Sequence, residues 1–252
     1  MATWIVELKP FKLRKGVLIQ GLPGMGFAGK IGVDYIVQEL KLEKVAELYS
    51  DHLVLPTGIA GLLVTDDGMM RLPHYEFYLY EVDNRDLLFL SGDVQPVSWG
   101  QYEVAFKVLD YFQKKGGVEV VAVCGTVVGA EEGRREVYFV ADTPETKEEL
   151  IRAGFKYYGG GTITGACGLV PGLARLRGLK TYILMSTTRP HAPDPEAGRE
   201  IVKALMKLFG IKVSLKNLDR VIEEIKKREK ELKRLRELLE KRKEERRPGY
   251  YV

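Results

Sequence analysis

Apolar positions fall into short continuous runs, and stretches of helical periodicity separate them. Residues 16–20 (Gly-Val-Leu-Ile-Gln) form such a run, the pattern of a strand buried on both faces. Helical spacing of Ile31, Val33, Tyr35, Ile36 and Leu40 follows, and a strand is expected at 45–49. Runs at 87–90, 118–124 and 181–185 read as further core strands, with weaker strand patterns at 4–8 and 136–140. Amphipathic helices are expected at 102–115, 144–153, 164–176 and 194–209, with Thr143 as the N-cap of the second. Between 52 and 82 two β-like pieces, 59–64 and 76–82, flank turn signals at Asp66-Asp67-Gly68 and Leu72-Pro73, the pattern of a hairpin or meander. Strands alternating with helices predict an α/β fold: a mostly parallel sheet of five or six strands with helices on both faces.

The pattern changes at the C-terminus. Residues 214–247 contain neither Pro nor Gly, and a helix over that span would reach roughly 50 Å. Leu218, Ile225, Leu232 and Leu239 recur every seven residues, with Val221 and Leu235 at the intervening d positions. Arg228 and Arg242 interrupt that d series, so the stripe predicts packing against a neighbour rather than a long dimeric coiled coil. The expected division is a core domain over 1–212 and a charged helix over 213–252.

Charge sharpens this division. The chain carries a formal net charge of +4, whereas residues 214–247 hold 14 Lys/Arg and 9 Asp/Glu, a net of +5. The remainder therefore sums to −1, which argues against a body surface built for nucleic acid. Dense Lys, Glu and Arg usage suits a thermophile. No apolar run approaches the ~20 residues of a membrane span, and residues 1–4 lack a signal-peptide layout. Cys124 and Cys167, in apolar or Gly-rich contexts, are expected to be buried thiols in a reducing cytoplasm.

Candidate chemistry is sparse. Gly24, Gly26 and Gly29 fit G-x-G-x-x-G between a strand and a helix, and with Lys30 they also fit G-x-x-x-x-G-K. Ile31 replaces the Ser/Thr of a phosphate-cradling loop, and Leu22-Pro23 intervenes between strand and fingerprint. The competing reading is a turn that lets a helix pack closely. His52, His74 and His191 lie far apart, without the spacing of a metal site. Asp93 and the pair Glu131-Glu132 are candidate acid/base groups, with turn chemistry and solvated charge as the simpler account.

Three segments together resemble the proteasome assembly chaperone 2 family over roughly residues 5–210. They are Val17-Leu18-Ile19-Gln20-Gly21-Leu22-Pro23-Gly24-Met25-Gly26, Gly92-Asp93-Val94-Gln95-Pro96, and Gly165-Ala166-Cys167-Gly168-Leu169-Val170-Pro171-Gly172-Leu173. The resemblance implies an α/β/α sandwich related to the purine nucleoside phosphorylase fold, without that activity. It also implies an archaeal, cytoplasmic homo-oligomer, a tetramer or pentamer, that is neither an enzyme nor dependent on a cofactor. Its partner would be the 20S proteasome, as an ATP-independent assembly chaperone or activator. In that family a terminal hydrophobic–tyrosine–any motif docks between α-subunits, and Tyr250, Tyr251 and Val252 match it here. The alternatives are a nucleotide- or nucleoside-binding enzyme using residues 21–30, and a nucleic-acid contact through the basic tail, against which its interspersed glutamates argue.

Overall fold

The structure, a computed structural model, describes residues 2–127 and 134–245, with side-chain surroundings as far as residue 236. The chain separates into two units, Met1–Val213 and Ser214–Val252. In the first, the elements in order are β1 (Thr3–Glu7), β2 (Gly16–Gln20), α1 (Ala28–Glu39), β3 (Glu43–Ser50), β4 (Leu63–Val64), β5 (Met70–Arg71), β6 (Tyr75–Glu81), β7 (Asp86–Gly92), α2 (Gln101–Lys114), β8 (Gly117–Thr126), β9 (Val137–Ala141), α3 (Pro144–Arg152), β10 (Lys156–Tyr157), α4 (Gly165–Leu176), β11 (Lys180–Thr187) and α5 (Pro195–Phe209). The second unit contains α6 (Lys216–Glu245).

Among the described residues the main sheet has nine strands in the order β1-β3-β6-β7-β2-β8-β11-β9-β10. Its four central strands, β7-β2-β8-β11, are parallel. They are the continuous apolar runs, as expected for strands covered on both faces. Leu18, Leu88, Leu90 and Val120 belong to one core together with Val104, Val108 and Phe112 of α2 and Val170 of α4. The alternate residues Ile19, Phe89 and Val121 are equally buried. By the two-residue period of a strand they face the opposite side, where α1 packs on β8 and on α5.

The fold is therefore the expected α/β arrangement with helices on both faces, and its sheet is wider than expected. The strand read at 45–49 extends over 43–50, and the β-like piece read at 76–82 joins the main sheet beside it, through antiparallel β3–β6 and β6–β7 pairs. Strand β10, two residues long, has no period to read. The expected strand at 59–64 shrinks to Leu63–Val64, which pairs with β5 as a separate hairpin. Thr143 caps α3 as predicted, its Oγ1 accepting from the Thr146 N–H at 3.2 Å.

Helix α5 is anchored by Asp194, which is fully buried. Its Oδ1 accepts from Ala197 N at 3.2 Å, and its Oδ2 accepts from Arg189 N at 3.0 Å and from Arg135 Nε at 2.8 Å. The Asp194 N–H reaches back to Gly26 O at 2.8 Å. Burial works against the carboxylate, yet these backbone donors and the two arginines hold its pKa below the ordinary value. Because the folded pKa is depressed, this contribution to stability is complete above the unfolded value of about 3.9 and is lost as pH falls through the folded pKa. Asp194→Asn should lower unfolding free energy by about 3–5 kcal/mol at pH 7, by stranding Arg135. Urea unfolding should show the gap from wild type closing as pH drops below about 4; a gap that widens in acid would contradict the assignment.

Candidate functional site

The carboxyl ends of parallel strands are where α/β folds bind ligands. Here the ends of β2, β8 and β11 open into a cavity of about 490 Å³, lined by Gln20, Gly24, Gln95, Thr126 and Tyr158 among others. Gln95 ties the loop after β2 to the start of α4: its Nε2 donates to Pro23 O at 2.6 Å, and its Oε1 accepts from Ala166 N at 3.0 Å. Gln20 donates to Ala166 O at 2.9 Å. No Asp, Glu, Lys, Arg or His of the described residues lines the cavity. Among the described residues its surface offers amides, hydroxyls and apolar groups.

The glycine-rich loop that feeds this cavity is consumed by packing. A Cβ at Gly29 would lie 1.9 Å from the Val123 carbonyl oxygen of β8. Gly26, at φ +57°, would strike Thr188. Lys30 pairs with Asp34 at 2.8 Å and reaches Ser91 Oγ at 3.2 Å. It is not among the residues lining the cavity. Gly24, by contrast, has extended backbone at φ −169°, and a Cβ there would meet only the Leu22 carbonyl oxygen, at an unstrained 4.0 Å. The three glycines of the fingerprint thus do different jobs, and two of them do what the close-packing reading requires. In thermal unfolding, Gly29→Ala should destabilise strongly, by about 2 kcal/mol or more given the backbone clash, and Gly24→Ala should be nearly silent. Equal sensitivity of both positions would contradict the packing assignment.

The cysteines depart from expectation. Cys124 at the end of β8 and Cys167 in the first turn of α4 form a disulfide between Cα atoms 6.4 Å apart, rather than two buried thiols. Packing of α4 on β8 brings together residues 43 apart in sequence, which no local signal reveals. Ala122, Ile183 and Met185 surround the bridge in a small apolar cluster. Closing a loop of that length should stabilise the fold by about 4 kcal/mol. The denaturation midpoint should fall on adding a thiol reductant and should not respond in Cys124→Ser/Cys167→Ser; a reductant-insensitive wild type would contradict the bridge.

Other residues singled out from the sequence are engaged structurally. Asp93 makes a two-point ion pair with Arg71, at 2.5 and 2.7 Å, and is no free base. His52 Nε2 lies 3.1 Å from Glu103 Oε2. Glu131 and Glu132 lie outside the described residues, as do Tyr250, Tyr251 and Val252. Along α6, Leu218 is buried, Ile225 is half-buried, and Val221, Leu232 and Leu235 are exposed. Leu239 lies on the helix, beyond the residues whose side-chain surroundings are described.

One cluster escaped sequence reasoning altogether. Glu47 on β3 stands opposite Glu76 on β6, and His74 approaches both. Tyr49 stacks on the imidazole at 5.0 Å, and burial together with Glu47 pushes its phenol up to about 12.

The model of the PAC2 family matches residues 18–233. The chain belongs to the PAC2 family. Its structure is similar to that of Pyrococcus furiosus PbaB, an archaeal proteasome activator, with 28% identity and a TM-score of 0.84 over 92% of this chain and 98% of that one. It is also similar to Pyrococcus furiosus PbaA, an archaeal homolog of proteasome-assembly chaperone, with 26% identity and a TM-score of 0.74 over 95% and 99% of the two chains. An uncharacterized protein of Methanocaldococcus jannaschii is 30% identical over 238 residues, 90% of this chain and 89% of that one. No helix among the described residues is long and apolar enough to cross a membrane.

Proposed function

We propose that this protein binds the 20S proteasome as an assembly chaperone or activator, without ATP and without chemistry of its own. The observation that carries the reading is the similarity to the proteasome activator PbaB, which extends over 92% of the chain and so includes more than a shared sheet. Supporting it, the cavity at the strand ends presents no charged side chain among the described residues, and both cysteines are tied up in a disulfide.

Contact with the proteasome is assigned to Tyr250, Tyr251 and Val252, docking between α-subunits. A tyrosine ring desolvated in a pocket and a carboxylate paired with a lysine would be the anchors. Helix α6, 30 residues and about 45 Å long, would carry that motif. Exposed Val221, Leu232 and Leu235 leave an apolar stripe on α6 for a second copy of the chain. Self-association as a tetramer or pentamer would present several tails at once, converting weak single contacts into avidity. A cytoplasmic location follows from the partner.

An archaeal 20S proteasome should be retained by the immobilised full chain and not by a chain ending at Gly249, with the two indistinguishable in circular dichroism and sedimentation. Equal retention by the shortened chain would remove the tail from the mechanism. Absence of retention by either would remove the proteasome.

A further inference from the structure

Strands β3 and β6 pair antiparallel with Glu47 directly opposite Glu76. Like charges facing each other across a ladder are destabilising unless a cation bridges them. Lys44 supplies one: its Nζ lies 2.5 Å from Glu47 Oε1 and 3.0 Å from Glu76 Oε1. His74, two residues before Glu76, turns its Nε2 toward the same two oxygens, at 3.6 and 3.3 Å. The imidazole is only 3% exposed. Its Nδ1 lies 2.8 Å from Leu72 O, which can only accept, and 3.3 Å from Arg71 Nη1, which can only donate; the shorter contact assigns the hydrogen to Nδ1. No hydrogen bond reaches Nε2.

We propose that Glu47, His74 and Glu76 form a binding site for a divalent transition-metal ion of the zinc class. Zinc bonds to nitrogen and oxygen are about 2.1 Å, so ligand atoms at tetrahedral corners stand about 3.4 Å apart. The two His74–carboxylate separations, 3.3 and 3.6 Å, bracket that spacing. All three ligand atoms fall within 4.8 Å of one another.

The supporting contacts are those that orient metal ligands. Tyr49 Oη donates to Glu47 Oε2 at 2.8 Å, and Tyr78 Oη donates to Glu76 Oε2 at 2.9 Å. With Leu72 O on Nδ1, every ligand has its second polar atom held, and Glu47 Oε1, His74 Nε2 and Glu76 Oε1 lie within 4.8 Å of one another. An imidazole ligand favours borderline metals over Mg²⁺ or Ca²⁺. Lys44 already places a positive charge on both carboxylate oxygens. Its side chain is 32% exposed, so the ammonium can swing to solvent when a dication takes over. Three protein ligands leave a fourth tetrahedral position for water. The ion would clamp β3 to β6.

The second histidine–carboxylate group, Asp51, His52 and Glu103, serves as the internal reference. There His52 Nε2 is already hydrogen-bonded to Glu103, and both carboxylates are nearly half exposed.

The test uses the full chain, stripped with a chelator and titrated with ZnCl₂ or MgCl₂ by calorimetry, with thermal unfolding in parallel. One zinc per chain should bind and raise the melting temperature, and magnesium should do neither. His74→Gln and Glu76→Gln should each weaken zinc binding by about tenfold or more, whereas His52→Gln should leave it unchanged. Lys44→Met should tighten it, because the competing ammonium is gone. That variant keeps the test decisive if the ligand variants fold poorly. The proposal is overturned if the full chain takes up no zinc, if His52→Gln abolishes uptake, or if Lys44→Met binds no more tightly than wild type.

Discussion

Helix α1 approaches β8 so closely that only glycine fits between them. The Val123 carbonyl occupies the space a side chain at Gly29 would need, and this contact fixes the depth at which the helix sits on the sheet. The same closeness continues outward. Gly32 of α1 receives Ile201 of α5, and Gly198 of α5 receives Ile31 of α1, so the two helices interlock through small residues facing branched ones. Asp194 then ties the start of α5 back to the Gly26 carbonyl in the loop that precedes α1. Strand end, glycine loop and two helices form one packed unit, and the cavity at the carboxyl ends of β2 and β8 takes its shape from it. A glycine pattern that resembles a phosphate cradle is in large part a packing device.

Much of this was legible along the chain. Continuous apolar runs marked the four parallel strands because both faces of those strands are covered, and the turn signals and the cap at Thr143 carry local hydrogen-bond chemistry. What could not be read depends on contacts between distant segments. The disulfide needs α4 packed against β8. The Glu47–His74–Glu76 cluster needs the β3–β6 register, because residues 27 and 2 positions from His74 share no spacing that signals a site. The width of the sheet rests on how the strands read at 4–8, 45–49, 76–82 and 136–140 pair, through antiparallel ladders between distant segments, and on the two-residue β10. The resemblance drawn from the three glycine- and proline-bearing segments agrees with the family, and those segments lie at the ends of the central strands and in α4.

Two properties of the chain bear on function in opposite ways. The body is nearly neutral, and its cavity displays no charged side chain among the described residues. The excess positive charge resides in the segment containing α6, a Pro- and Gly-free helix on which Leu232 and Leu235 are exposed. On the proposed reading the body sets subunit geometry and the helix delivers a short recognition motif, so affinity depends on how many tails reach their pockets together. The Glu47–His74–Glu76 site would add rigidity where β3 and β6 join, distant in sequence from the recognition motif.

The central claim is recognition by the last three residues of the sequence. The most direct measurement is competition: a synthetic peptide spanning residues 240–252, free at its carboxyl end, titrated against the full-length protein bound to an archaeal 20S proteasome. The account predicts that the free-acid peptide displaces the protein, that the same peptide amidated at Val252 does not, and that replacing Tyr251 by alanine has the same effect as amidation. Displacement equally strong with the amide, or no displacement by the free acid at concentrations far above that of the protein, would contradict it.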